Sequence, residues 1–156
     1  MLKRNRFDLL RSERGASLVE LAMLMPVFVL LMAVAVDLGR ASYLVQEIQG
    51  AALAAVAYGA QNPTDLTGMS NAAKDDAPNV PNLSVGSPTY GCECATDTTG
   101  STYSANCAVT PSCASSNVVY RVKVTVTAPY TTLFPWPRIP SSMSFSSSAS
   151  MRSAGS

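Results

Sequence analysis

Hydrophobic residues fill one long segment near the start of the chain. From 18 to 36 the sequence reads LVELAMLMPVFVLLMAVAV, nineteen residues in which Glu20 carries the only charge. As a helix this segment would be about 28 Å long, close to the roughly 30 Å hydrocarbon core of a bilayer. Charged residues bound it, Arg14 before and Asp37 after. The pattern predicts a transmembrane helix over about residues 18–36, in which Pro26 bends or loosens one turn.

A helical pattern continues beyond this segment. Between residues 37 and 60 the apolar positions fall mainly three and four apart, and many of them are alanine. Gly59, Asn62 and Pro63 then end the pattern. We therefore expect one helix over about residues 16–60, roughly 65 Å long. Its alanine-rich outer half suits close packing against a sheet or another helix.

Residues 61–156 show a different pattern. Residues 61–90 are polar and rich in turn formers, which predicts loops with one short strand near Leu83–Val85. Two later segments, about 118–127 and 142–151, alternate apolar and polar residues as half-buried antiparallel strands do. Only the outer half of the long helix is available to cover their apolar faces. The fold class is therefore α+β: a long N-terminal transmembrane helix that extends into a small antiparallel β-sheet domain.

Proline and aromatic residues fill the segment between the two strands. We expect its four prolines to exclude regular strand pairing. Its three aromatic residues would either cap the core, which is the favoured role, or form a contact surface. The prolines are Pro129, Pro135, Pro137 and Pro140, and the aromatic residues are Tyr130, Phe134 and Trp136.

Charge is distributed unevenly along the chain. The first fourteen residues hold five basic and two acidic residues, a net charge of +3, whereas the remainder holds six basic and eight acidic residues. By the positive-inside bias, the basic segment stays in the cytoplasm and the domain over 61–156 lies outside. The net charge of +1 for the whole chain gives no support to a nucleic-acid partner.

The absence of histidine restricts the chemistry. With no histidine among the 156 residues, a Ser-His-Asp triad, a Cys-His pair and any histidine-containing metal site are excluded. No nucleophile stands beside a base in the sequence. We therefore expect no enzyme activity, no cofactor, no metal and no small-molecule substrate.

Four cysteines, Cys92, Cys94, Cys107 and Cys113, lie on the side predicted to be outside. An oxidising compartment favours two disulfides over a zinc site, and the C-x-C and C-x5-C spacings do not suit zinc. Cys92 and Cys94 are too close in sequence to pair with each other. Each is expected to pair with Cys107 or Cys113, and the sequence leaves the connectivity open.

The junction between the basic and apolar segments reads Arg14-Gly15-Ala16-Ser17-Leu18-Val19-Glu20. A carboxylate two residues inside an apolar span is costly, which invites a functional explanation. The junction resembles a type IV prepilin cleavage site. The resemblance implies that a prepilin peptidase cuts after Gly15, so that Ala16 becomes the first mature residue and Glu20 the fifth. Glu20 would then meet the new N-terminal ammonium of a neighbouring subunit; the alternative is that lipid headgroups solvate it at interfacial depth.

A wider stretch resembles the TadE-like proteins. It carries R-G-x-x-x-V-E from Arg14, an internal proline, D-x-G-R from Asp37 and a small-residue helix extension. The valine-rich strand, the Tyr-x-x-Leu-Phe-Pro segment from Tyr130 and the final Met151-Arg152 are similar too. The resemblance implies a pilin-like fold and a minor pilin or pseudopilin of a Tad (Flp, type IVc) pilus. TadE, TadF and TadG relatives share these features, and the short chain favours a TadE-type role.

The same resemblance implies location and partners. The chain would be a single-pass protein of the bacterial inner membrane, with a cytoplasmic leader over residues 1–15 and a periplasmic C-terminal domain. It would take part in pilus biogenesis, adhesion or secretion, and could end in an extracellular pilus. The implied partners are other Tad pilins or pseudopilins, the prepilin peptidase, the inner-membrane assembly platform and the lipid bilayer.

Two other functions stay open on the sequence alone. An uncleaved chain would be a membrane-anchored component of the assembly platform. Alternatively, signal peptidase would cut near Ala35, where Ala33 and Ala35 form an A-x-A-like site, and would release a disulfide-bonded binding protein.

Overall fold

A computed structural model describes residues 13–97, 99, 101–107, 111–113 and 116–153. The basic residues before Glu13 lie outside the described residues. The chain forms two compact units, one up to Gly39 and one from Arg40 onward. The elements in order are α1 (Glu13–Gln61), α2 (Leu66–Asp76), β1 (Ser84–Val85), β2 (Thr89–Cys94), β3 (Val118–Thr131) and β4 (Ser142–Ser153).

The first helix, α1, is long and uninterrupted. It contains 49 residues and stays α-helical on both sides of Pro26. The proline ring removes one backbone donor, which favours a bend. The bend at this position remains a prediction. Part of α1 is long and apolar enough to cross a membrane. A long N-terminal helix followed by an antiparallel sheet confirms the predicted α+β class.

The sheet is built around β3, its central strand. One edge of β3 pairs with β4 along Tyr120–Thr131, and the other edge pairs with β2 near its start and with β1 at Val126 and Thr127. All three pairings are antiparallel. The strands pair through their edges, so a face of the sheet is left to pack against the helices.

The core of the second unit lies between this face and the helices. Alternate residues of β3 point inward, and they meet small side chains of α1 because alanine lets a helix approach a sheet closely. The buried residues of this core include Val122, Val124, Val126 and Ala128 from β3 and Ile48, Ala51, Ala52, Ala55 and Val56 from α1. The predicted role of the alanine-rich segment is thus seen directly.

The expectation of loops over 61–90 is wrong for α2. Asp65 caps this helix, and its Oδ1 accepts a hydrogen bond from Gly68 N at 2.8 Å. Met69 and Ala73, four residues apart, are buried in the core. The signal for a helix was this spacing together with an aspartate at the capping position, in a segment otherwise polar enough to suggest a loop.

The expectation that Pro129 excludes strand pairing is also wrong. Pro129 lies within β3, opposite Ser144 of β4. Residues four apart in a strand direct their backbone polar groups to the same edge. The carbonyl oxygen of Thr125 accepts from Gly86 N on the β1 side, so the backbone nitrogen of Pro129 also faces that side. Because β1 pairs with β3 only at Val126 and Thr127, the missing N–H of Pro129 faces a part of this edge where none of the described strands pairs.

The aromatic residues behave differently from one another. Tyr130 is buried and its ring lies 5.8 Å from that of Phe145, so it caps the core as expected. Phe134 is exposed and packs edge-on against the half-buried Trp136, at 6.1 Å between ring centres. The expected core role is therefore wrong for Phe134 and Trp136, since both lie in the segment that joins β3 to β4.

Candidate functional site

The residues of the predicted processing site follow one another at the start of α1. Gly15 is the third residue of the helix and is exposed, and Ala16 follows it. A Cβ added to Gly15 would meet no atom within 4 Å, so the fold itself does not require glycine there. Glycine weakens a helix by about 1 kcal/mol relative to alanine, so this turn is easier to unwind than one with alanine.

Glu20 lies further along the same helix, among apolar side chains. Its carboxylate is exposed and has no hydrogen-bond or ion-pair partner within the described part of the chain. In a bilayer such a charge is costly unless it lies near the interface or meets a cation. The position can therefore receive a positively charged group from another molecule.

The described residues leave most of the apolar part of α1 uncovered. Most of its large side chains are more than half exposed, including Leu18, Met23, Phe28, Leu30 and Met32. Contiguous apolar surface of this extent requires a non-aqueous environment. The chain therefore has the character of a single-pass membrane-anchored protein.

The outer face of the sheet is polar and carries positive charge. Arg121 forms an ion pair with Glu93, whereas Lys123 and Arg152 have no carboxylate partner among the described residues. Arg152 lies opposite Arg121 in the register of β3 and β4. A shallow groove of about 950 Å³ covers this face, lined also by serine and threonine hydroxyls. Its lining also includes the carboxylates of Glu93 and Asp97, and it contains no histidine and no free cysteine.

The cysteines form two pairs in the second unit. Cys92 and Cys94 both point to the buried side of β2, and they are joined to Cys107 and Cys113 respectively, with Cα–Cα distances of 5.7 and 5.6 Å. This is one of the two connectivities that the sequence left open. The strand itself was missed, because its T-Y-G-C-E-C pattern is short and its buried residues are cysteines.

A hydrogen-bonded turn after β2 was also not anticipated. Asp97 accepts hydrogen bonds from Thr102 Oγ1 and N, both at 2.6 Å, and from Thr99 N at 2.8 Å. The Thr102 hydroxyl, followed by the two amides, holds the pKa of Asp97 well below its usual range. Thr102 in turn accepts from Cys94 N at 3.0 Å, so the turn is tied to β2. The D-x-T pattern was the available signal.

No group of metal-ligating side chains was found among the described residues. The structure thus separates two kinds of site residue. Gly15 and Ala16 lie on α1 just before the apolar segment, and Glu20 and Pro26 lie within it, whereas the cysteines lie in the other unit.

The comparisons with known proteins concern the first helix, α1. Neither the curated proteins nor the solved structures gave a match to this chain. Residues 15–57 match the family model described as TadE-like protein. The match begins at Gly15 and covers the apolar segment and most of the alanine-rich extension. It confirms the resemblance over residues 15–57, and it does not extend to the strands or to the segment from Tyr130.

Proposed function

We propose that this chain is a minor pilin or pseudopilin of a Tad pilus, with a role in pilus biogenesis, adhesion or secretion. The observation that carries the proposal is the TadE-like helix: 49 residues without interruption, apolar and exposed in its first half and packed on a sheet in its second. In the proposal the first half anchors the chain and later packs against other pilin helices. The sheet domain then provides lateral contacts.

The proposed processing step lies at the start of this helix. A prepilin peptidase cuts after Gly15, the basic leader over 1–15 is removed, and Ala16 becomes the new N-terminus. Glu20, five residues into the mature chain, then pairs with the N-terminal ammonium of a neighbouring subunit, because a low-dielectric environment strengthens such a pair. The exposure of Glu20 and its lack of a partner in the described chain support this role.

The proposed topology follows from the charges. The basic leader stays in the cytoplasm, α1 crosses the inner membrane once, and the disulfide-bonded domain lies in the periplasm. The proposed partners are other Tad pilins, the peptidase, the assembly platform and the bilayer. The chain carries no catalysis of its own in this proposal, since its part in the cleavage reaction is that of the substrate.

Mass spectrometry of the full chain, expressed with and without a prepilin peptidase, tests the processing step. We expect a start at Ala16 with the peptidase, and loss of cleavage in Gly15→Leu because a bulky residue blocks the scissile bond. Gly39→Leu is the matched control, since a Cβ at that glycine of α1 also meets no atom within 4 Å. A start at Met1 in all cases would contradict processing, and a start at Val36 would favour a secreted protein.

A further inference from the structure

The loop between β3 and β4, residues 132–141, exposes a concentrated group of apolar side chains. Leu133 is 54% exposed, Phe134 44% and Ile139 49%, and Trp136 lies edge-on against Phe134. We call residues 132–141 the β3–β4 loop. Apolar residues scattered singly on a surface are ordinary. Three exposed ones within seven positions, with the half-buried Trp136 beside them, form a patch of the kind that marks an interaction site.

Two backbone hydrogen bonds give the loop a defined turn and a closed base. Thr132 N donates to Ser141 O at 3.1 Å, which closes the loop at its base. Ile139 N donates to Trp136 O at 3.3 Å across a turn with Pro137 and Arg138 at its centre. A proline followed by a residue of positive φ is the pattern of a type II turn. The apolar side chains are therefore displayed on a formed surface.

Arg138 occupies the position of this turn that glycine normally takes. Its φ is 71°, a conformation that a residue with a side chain adopts only at a cost. The side chain is exposed. No acidic residue lies between Ala128 and Ser141. Arg138 has no ion-pair partner among the described residues, so the loop presents one unneutralised positive charge among apolar and aromatic groups.

The direction of β3 relative to α1 shows at which end of the second unit this loop begins. At one end of the strand, a Cβ on Gly59 of α1 would lie 2.9 Å from Val122 Cγ1. At the other end, the Arg40 guanidinium lies 5.8 Å from the centre of the Tyr130 ring. The eight steps along β3 span about 26 Å and the nineteen steps along α1 about 28 Å. The strand therefore runs antiparallel to the helix, toward Arg40.

The loop begins at the end of the domain where the chain leaves the apolar segment. That segment ends at Val36, four residues before Arg40, or about 6 Å of helical rise. Leu133 follows Tyr130 by three residues, up to about 10 Å of extended chain. A loop that starts beside Arg40 is thus within reach of the boundary between hydrocarbon and headgroups.

We propose that the β3–β4 loop lies in the bilayer interface, as a second membrane contact beside the helix. Tryptophan and tyrosine favour the headgroup level, aliphatic side chains the acyl boundary just below it, and arginine the lipid phosphates. The inference rests on the proposed function only in requiring that α1 anchors the chain in a membrane. It adds that the domain is held against the bilayer.

The only tryptophan of the chain reports directly on this loop. The full chain is reconstituted into phosphatidylcholine vesicles with phosphatidylglycerol, and flotation first verifies anchoring. Lipids carrying a nitroxide quencher at carbon 5 or carbon 12 of the acyl chain are then compared. We expect Trp136 to be quenched more strongly by the shallow label than by the deep one. Anchored chains whose Trp136 is quenched by neither label would overturn the inference and leave the anchor intact.

Variants that retain Trp136 show which side chains are responsible. Leu133→Ser/Ile139→Ser should lose most of the quenching, whereas Leu53→Ser/Leu66→Ser, which removes two leucines exposed elsewhere in the domain, should retain it. Equal quenching in both pairs would argue against the proposal. Fluorescence that changes with protein-to-lipid ratio, without lipid quenching, would instead assign the loop to a protein partner and also overturn it.

Replacing Arg138 gives a second test, which does not depend on the apolar side chains of the loop. Arg138→Gln should lower the ratio of membrane-bound to free loop by about fivefold on vesicles with phosphatidylglycerol, since one cation near an anionic surface contributes about that factor. On phosphatidylcholine alone the variant should match the original chain. Arg138→Lys should behave as the original on both. A charge-independent result would contradict the role given to Arg138.

Discussion

Asp97 shows how one side chain can organise a segment with little apolar content. Its carboxylate accepts from two backbone amides and from threonine hydroxyls of the turn that follows β2. A carboxylate held by several donors remains ionised to lower pH than usual, because each donor stabilises the charge. The turn joins β2 to the segment with Cys107, so the residue fixes one end of the disulfide-bonded loop.

This residue predicts a pH dependence of folding. The folded-state pKa of Asp97 is lowered, so its contribution to stability is complete above the ordinary pKa of 3.8 and is lost as the pH falls toward the folded-state pKa. Asp97→Asn should reduce the thermal stability of the full chain in detergent at pH 7. The NH2 group of asparagine would face the N–H and O–H donors that bind the carboxylate, and one of its hydrogen bonds would be lost. The difference from the original chain should shrink below pH 3.8.

The control for Asp97→Asn is Asp75→Asn. Asp75 lies on the exposed side of α2 and has no hydrogen-bond partner in the part of the chain that the structure describes. We expect no change at pH 7 in this variant. If Asp97→Asn kept its full effect at pH 2, the loss would come from packing and the ionised hydrogen bonds would not be its cause.

Among the elements, α1 and β3 form the contact on which the domain depends. Gly59 of α1 lies against Val122 of β3 and Met69 of α2, and an added Cβ would come within 2.9 Å of Val122 Cγ1. The end of Met69 is flexible and can move, but the branched valine on a paired strand has little freedom. The small residue here sets the distance between helix and sheet.

Gly59→Leu should therefore weaken the packing of these elements. Overpacking a close contact costs about 1–3 kcal/mol, and a larger side chain offsets only part of this through its better helix propensity. We expect a lower free energy of unfolding in urea with detergent present. Ala57→Leu, on the exposed side of the same helical turn, is the control and should be nearly neutral. Equal stability of the two variants would contradict the close contact.

Elements with a long, clean period were predictable from the sequence. The apolar run and alanine spacing gave α1, and five alternating apolar residues from Val118 gave β3. The short α2 and β2 were missed because tertiary contacts hold them: Met69 and Ala73 in the core, and Cys92 and Cys94 in disulfides. Local composition there favours loops, and packing overrides it.

The candidate sites differ in the same way. Gly15 and Glu20 are visible in the sequence because their spacing lies within one helix. The position of the β3–β4 loop depends on β3 running antiparallel to α1, which is known only once Tyr130 is seen beside Arg40. Pro129 within a strand likewise depends on which edge of β3 is unpaired. Information of this kind is not contained in local pattern.

For the whole molecule, topology and disulfide chemistry should be coupled. In the proposed topology, the five basic residues before Gly15 hold the N-terminus in the cytoplasm by the positive-inside bias, and all four cysteines reach an oxidising compartment. All four are paired in the structure, in loops closed over 15 and 19 residues. Each disulfide should contribute on the order of 3 kcal/mol by restricting the unfolded chain. The proposed topology therefore predicts that the stability of the second unit depends on the charge of the N-terminal segment.

Replacing the five basic residues Lys3, Arg4, Arg6, Arg11 and Arg14 by glutamine tests this coupling in cells. The orientation bias is lost, so a fraction of chains should retain the domain in the cytoplasm, where thiols stay reduced. Alkylation with a maleimide of large mass should then shift that fraction by four adducts without reductant, whereas the original chain shifts only after reduction. Lys74→Gln/Arg152→Gln, whose charges are too far from the span to orient it, should remain protected. Reactive thiols in the original chain would contradict both the outside location of the domain and its two disulfides.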